Sequence, residues 1–316
     1  MGLFDGRYEL TGFCSKAQGE SHKEKDIPVQ DAAVFSLSKS GKSGIAVVAD
    51  GHGGEKYFRS AKGSELAVSI AKQTITSFEL QVRSEKTIAP SLKHLASNII
   101  YQWREKVLED IQKLPFNDGE IKLCTEKNID TTNEDDLVSI YGTTLIAAFV
   151  TETCWFAVQI GDGVCVSITG DGKAETAIPA DERLAFGKTT SLCNTDAIDS
   201  FRYNFKKEKV LGITVATDGV ADSFIPEKYL DFNKNLMEDF LLTEHAQRNL
   251  DTFLPELSRK GSRDDVAIAG LFNIPDCRKF IYKNRQKKNI ESSTKAAAVI
   301  KAKDAIEKYG HFIGKG

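Results

Sequence analysis

The chain has 316 residues, of which 41% are hydrophobic and 28% charged, and a formal net charge of −3. That is an ordinary globular composition with room for one large domain or two modest ones. The slight acidity gives no reason to expect nucleic-acid binding, and no apolar run approaches the ~20 residues that span a bilayer.

In chain order, residues 8–17 and 31–37 read as strands, and 44–49, Gly-Ile-Ala-Val-Val-Ala, as a buried strand. A helix is expected over about 55–80, where Leu66, Ile70 and Ile75 are separated by small residues. A second is expected over 89–113, where Leu92, Leu95, Ile99, Trp103, Val107, Leu108 and Ile111 keep a helical spacing until Pro115. The polar, acidic stretch 117–136 reads as a loop. Strands follow at 143–150, 154–160, 164–169 and 173–178, then a mixed polar stretch, 179–209, that reads as an irregular flap. Strand 211–216, helices at 226–243 and 244–259 and strand 266–272 complete the series. Many strands with a long helix pair argue for a layered α+β fold. No internal repeat or low-complexity tract interrupts it.

Residues 277–316 differ from the rest, with eleven Lys or Arg against three acids. Ser292 to Tyr309 has helical character. Two readings stand: a solvated helix that packs back by its apolar stripe, or an appendage that docks to an anionic surface. The division expected is one main domain over 1–275 and a basic, helical extension over 276–316.

The six cysteines, at 14, 124, 154, 165, 193 and 277, form no Cys-x-x-Cys pair and no zinc spacing. They read as reduced thiols, which with an N-terminus lacking a basic-then-apolar leader gives a cytoplasmic expectation.

The chemistry lies where apolar runs meet acids. Residues 45–49 run straight into Asp50-Gly51-His52-Gly53-Gly54. Residues 155–160 run into Gly161-Asp162-Gly163, and 210–216 into Thr217-Asp218-Gly219-Val220-Ala221-Asp222. Gly261-Ser262-Arg263-Asp264-Asp265 precedes the final strand, and Gln30-Asp31 precedes the second. Each Asp-Gly alone is a turn signal. Together, carboxylates at strand ends from distant parts of a chain can converge on one end of a sheet, and hard oxygen ligands suit Mg²⁺ or Mn²⁺ rather than zinc.

In this order, and with Gly142-Thr143-Thr144-Leu145 between, these pieces resemble the metal-dependent protein phosphatase 2C family of serine/threonine phosphatases. The resemblance spans residues about 10 to 272. Ser21-His22 and Thr189-Thr190-Ser191-Leu192 look more like the compact bacterial-type branch. It implies a four-layer α/β-β/α sandwich, two antiparallel sheets with helices on both outer faces, and hydrolysis of phosphoserine or phosphothreonine in proteins by a water bridging two Mg²⁺ or Mn²⁺ ions. By the same resemblance Asp50 would bridge both metals, the Gly51 carbonyl would bind one, and Asp218 and Asp264 the other. Asp31 would hold metal-bound waters, Asp162 and Asp222 a third, weaker ion, and His52 would protonate the leaving oxygen. The implied partner is a phosphorylated protein, opposite a Ser/Thr kinase.

Three departures stand out. Gln30 replaces the glutamate that many members carry, and Asp265 stands where many have asparagine; both read as residues behind the metal ligands. The phosphate-binding arginine a few residues before Asp31 is missing. His22, Lys23 and Lys25 are the candidates to replace it, and lysine binds phosphate as a point charge rather than as a fork. The rival readings are a two-metal enzyme for a small phosphoester and a catalytically weak module that binds phosphorylated partners.

Overall fold

The computed structural model describes residues 8–78, 88–179, 181 and 189–286. Two five-stranded antiparallel sheets form its centre. One has the order β1 (Leu10–Ala17), β10 (Val266–Asn273), β9 (Val210–Ala216), β6 (Val164–Thr169), β7 (Ala174–Thr176). The other runs β2 (Ala32–Leu37), β3 (Ser43–Ala49), β4 (Leu145–Thr151), β5 (Trp155–Ile160), β8 (Arg202–Lys206).

Three apolar layers hold the sheets and helices together, and strand alternation explains how. On β3, Ile45, Val47 and Ala49 point to one side, where they meet α2 (Ser60–Phe78) and α3 (Ile88–Lys113) in a cluster that includes Ile75, Leu92, Ile99 and Trp103. Ala46 and Val48 point to the other side and meet Ile213, Val215, Ala267, Ala269 and Leu271 of the facing sheet. The outer face of that sheet packs Phe13, Val166, Ile268 and Phe272 against α8 (Pro226–Leu242) and α9 (Ala246–Lys260). Every residue of β3 is buried because both of its faces are covered. The result is the expected four-layer α+β sandwich.

Most strands and long helices fall within a few residues of their sequence expectation; three regions do not. Residues 117–136 are not a loop: they contain α4 (Asp118–Glu126) and α5 (Glu134–Ser139). Neither carries an apolar stripe. α4 is held by a capping box in which Asn117 Oδ1 accepts from the Gly119 and Glu120 amides, while the Glu120 carboxylate accepts from the Asn117 amide. Asn133 caps α5 more simply, its Oδ1 accepting from the Asp135 and Asp136 amides. The stretch 179–209 is not wholly irregular: α6 (Ala197–Ser200) leads into β8, which pairs antiparallel with β5 from Gln159↔Arg202 to Trp155↔Lys206. A short helix, α1 (Glu20–Glu24), follows β1 where none is expected.

The helix α10, residues 274–286, leaves β10 directly and buries Cys277 and Ile281. The helix expected over 292–309 lies outside the described residues.

At the foot of α2, Arg59 makes five hydrogen bonds, four of them to the connection after α3. Its Nε and Nη2 donate to Glu120 at 2.7 and 2.9 Å, its Nη1 to the Leu114 carbonyl and the Tyr141 hydroxyl, each at 2.8 Å, and its Nη2 to the Pro115 carbonyl at 3.4 Å. The guanidinium also lies 4.7 Å above the Phe116 ring. Residues 114–120 are thereby locked to the start of α2.

Candidate metal centre

The site forms where strand ends from both sheets meet. β3 stops at Ala49, and the backbone of Asp50 is clamped by the start of β4. The Asp50 carbonyl accepts from the Thr144 amide at 2.8 Å and the Thr143 hydroxyl at 2.7 Å, while its amide donates to Thr144 Oγ1 at 3.1 Å. Gly51 is required next to it: an added Cβ would lie 2.6 Å from the Gln30 carbonyl and 2.8 Å from that of Ser60. β5 ends at Ile160, and Gly161, at φ +104, turns the chain so that Asp162 follows. β9 ends at Ala216, and Thr217 leads into α7 (Asp218–Ala221).

These turns bring Asp50, Asp162 and Asp218 together, with one carboxylate oxygen of each within 4.8 Å of the others. All three are half-buried. Asp31, 2% exposed at the head of β2, accepts from the Thr217 hydroxyl at 2.7 Å. Asp31 and the exposed Asp264 line a cavity of about 640 Å³ together with Asp50, Gly51 and Gln30. Asp50 therefore belongs both to the tight triad and to the cavity. Asp222, one turn along from Asp218, is exposed, and its amide donates to the Asp218 carbonyl at 2.7 Å.

Crowding shows in the titration of these groups. Burial, then the charges of its neighbours, pushes Asp31 and Asp50 well above the ordinary carboxylate range. Burial, with Asp162 and Asp264 nearby, raises Asp218 to about 6. Burial also raises Asp222. Among the described residues no lysine or arginine pairs with these four carboxylates or with Asp162. An all-oxygen set of close, half-buried, mutually repelling carboxylates fits a hard divalent cation.

Asp265 works behind them. It is 3% exposed, and its two oxygens accept from the Gly19 amide at 2.6 Å and the Gln30 amide at 2.5 Å. Gln30 turns its side-chain amide to Ser60 Oγ at 2.7 Å. His22 faces Asp265, Nδ1 to Oδ2 3.0 Å but bent away from a hydrogen bond, and lies 3.8 Å from Asp264. Of the three candidate phosphate-binding residues, His22 and Lys25 line the cavity. Lys23 does not; its ammonium turns to Glu20 at 3.2 Å.

His52 donates its amide to the Gly142 carbonyl at 3.0 Å, and its ring meets the edge of Tyr57 with centroids 5.1 Å apart. Burial lowers its pKa, and the charge of Asp162 works in the opposite direction. Several supporting residues escape a reading of motifs alone: Thr217, which holds Asp31; Thr189, whose hydroxyl donates to Asp162 at 2.6 Å; and Lys16, whose ammonium donates to the Asp31 carbonyl at 2.9 Å. The only sequence signal for any of them is the hydroxyl-rich company of the acids, at Thr217-Asp218 and Thr189-Thr190.

The family model described as protein phosphatase 2C matches residues 18–255, from the foot of β1 into α9. The chain belongs to the protein phosphatase 2C family. It is a metal-dependent serine/threonine protein phosphatase. Solved structures carry the same fold. A serine/threonine phosphatase of S. agalactiae aligns with a TM-score of 0.55 at 14% identity, over 84% of this chain and 99% of that one. The catalytic domain of the phosphatase PstP, in complex with two manganese ions, gives 0.52 at 15% identity, over 85% and 100%. A bacterial serine phosphatase gives 0.51 at 18% identity, over 85% and 98%. No curated protein sequence matches the chain. Among the described residues of this phosphatase, no helix is long and apolar enough to cross a membrane.

Proposed function

We propose that this phosphatase removes phosphate from phosphoserine and phosphothreonine in proteins at the acid cluster, with two Mg²⁺ or Mn²⁺ ions, and so reverses the output of a Ser/Thr kinase. The observation that carries the reading is the convergence of Asp50, Asp162 and Asp218 within 4.8 Å, next to a cavity lined by Asp31 and Asp264. Paired divalent ions held there supply Lewis acidity at the phosphoryl oxygens and a water nucleophile at neutral pH.

The chain's own residues do the rest. Asp50, on both triad and cavity, would hold the ions together with the Gly51 carbonyl, Asp218 and Asp264. Asp31 is held by Thr217 and orients water. Asp162, close to Asp50 and Asp218, and the exposed Asp222 would hold a further ion. Lys25, on the cavity wall, draws in the phosphate dianion. His22, on the same wall, offers a second donor. His52 gives its proton to the leaving serine or threonine oxygen; its lowered pKa makes the imidazolium a stronger acid, though a scarcer one.

Phosphate release from a phosphothreonine peptide, measured with Mn²⁺ and with EDTA, tests this directly. Release that needs the metal supports it. Tight phosphopeptide binding without release would instead favour a binding module, the reading that the missing arginine favours. Turnover of small phosphoesters with no release from any phosphopeptide would point to a small-molecule phosphatase.

A further inference from the structure

We infer that this phosphatase reads its protein substrates through a trough that leaves the metal centre over Phe58 and ends at Leu114, and that the trough takes an apolar side chain flanking the phosphorylated residue. The inference rests on the phosphoprotein reading of the site and specifies which part of the substrate is recognised.

Two cavities meet here. The one of about 640 Å³ at the acids is walled on its far side by Phe58 and Ala61. A second, of about 510 Å³, begins at the same two residues and runs on to Leu114 and Pro115. The shared wall makes them one path across the surface, longer than a phosphorylated side chain alone would fill. An extended peptide advances about 3.3 Å per residue, so residues beside the phospho-residue must lie along it.

The far end is apolar and rigid. Leu114 is 61% exposed, and Phe58 stands edge-on to Phe116 with centroids 5.9 Å apart. Single exposed apolar residues are common and need no explanation. This one differs because a half-buried cation holds its backbone in place. Arg59, on the same cavity wall, donates to the carbonyls of Leu114 and Pro115. Its charge is consumed by Glu120 and Asp110, so it offers the trough no anion-binding group. What remains on the surface is a preformed apolar lip, the kind of pocket that gains affinity without an ordering cost. Lys62, the other cation on this wall, turns its ammonium to Glu65 at 3.6 Å, and Glu55, on the metal-side cavity, is paired with Lys127. A neutral, apolar contact is what this end can give.

The test is a set of phosphothreonine peptides in which one leucine is walked through the positions on either side of an otherwise alanine-rich sequence. For each, kcat/KM is measured with Mn²⁺ and divided by the value for the all-alanine peptide. One position, on one side, should show a ratio of about five to ten, the scale for burying part of a leucine side chain. In Leu114→Asp that ratio should fall to about one. Because it compares two peptides on one enzyme, it does not depend on how much folded protein the variant yields. A flat scan in the wild type overturns the inference, as does a preference that survives Leu114→Asp. If no peptide is turned over, the catalytic reading has failed instead. The same ratio is then taken from the Kd of fluorescent phosphopeptides by anisotropy, and a flat result there overturns the trough.

Discussion

Replacing Asp265 should separate scaffolding from chemistry in this site. The residue is 3% exposed and satisfies two backbone amides, Gly19 at 2.6 Å and Gln30 at 2.5 Å, that belong to segments remote in sequence. Asp265→Ala strands both donors in a buried place. Each unsatisfied donor costs roughly 1–3 kcal/mol, and bonds to a charged acceptor lie toward the upper end. Against this, the change removes one of the charges that raise Asp31, which returns part of the loss. The net expectation is about 2–4 kcal/mol. Asp265→Asn keeps one acceptor oxygen and can turn its amide toward His22, so it should lose about half as much. Urea unfolding in EDTA, which removes any contribution from bound metal, measures both variants. A loss below about 1 kcal/mol for alanine, or equal losses for alanine and asparagine, would refute the view that Asp265 acts by holding those two amides.

Three further outcomes are expected. Asp50→Ala should abolish Mn²⁺ binding by calorimetry and turnover with it, while its circular dichroism stays that of the wild type; normal turnover would remove Asp50 from the centre. His52→Ala should lower kcat by about 10²-fold or more on phosphoserine peptides and much less on aryl phosphates with good leaving groups; equal losses on both would argue against an acid role. The metal-free protein should gain stability in mild acid. Asp31 and Asp50 titrate well above 3.8 when folded, and Asp218 at about 6. The folded state therefore binds more protons than the unfolded one between these values. The stabilisation is complete below the unfolded pKa and is lost as pH rises through the folded ones. In EDTA, Tm should rise between about pH 7.5 and about pH 5.5; a fall would mean that these carboxylates are not crowded in solution.

What could be read from the sequence follows from how far each interaction reaches along the chain. β3 and Asp50 are legible together, because a run buried on both faces ends abruptly at an acid and three glycines. α2 and α3 carry their apolar stripes in plain view. α4 does not: it depends on the Asn117–Glu120 cap and on Arg59, some sixty residues earlier, rather than on a periodic face. β8 is hidden for a related reason. Arg202-Tyr-Asn-Phe-Lys is an edge strand, polar and half-exposed, and only its pairing with β5 makes it a strand. In the site, acids are visible as residue types, but their supports are not. The Thr217 hydroxyl that holds Asp31 and the amides that Asp265 accepts are contacts across most of the chain. No local pattern records them.

The placement of the acids on the boundary between the two sheets has a mechanical consequence. Asp31 and Asp50 ride on β2 and β3, Asp218 and Asp264 on β9 and β10, and Asp162 on the turn where the chain passes from β5 to β6 and so from one sheet to the other. The spacing of these carboxylates is set by how closely the sheets lie, and in the layer between them small side chains, Ala46, Ala148, Ala157, Ala267 and Ala269, stand among larger ones such as Trp155, Ile146, Ile213 and Leu271. An ion held at the rim would act as a rivet through both plates. Enlarging one of those alanines would pry the plates apart at a distance from the rim and loosen the grip on such an ion, so the affinity for metal would depend on the thickness of the filling as well as on the ligands themselves.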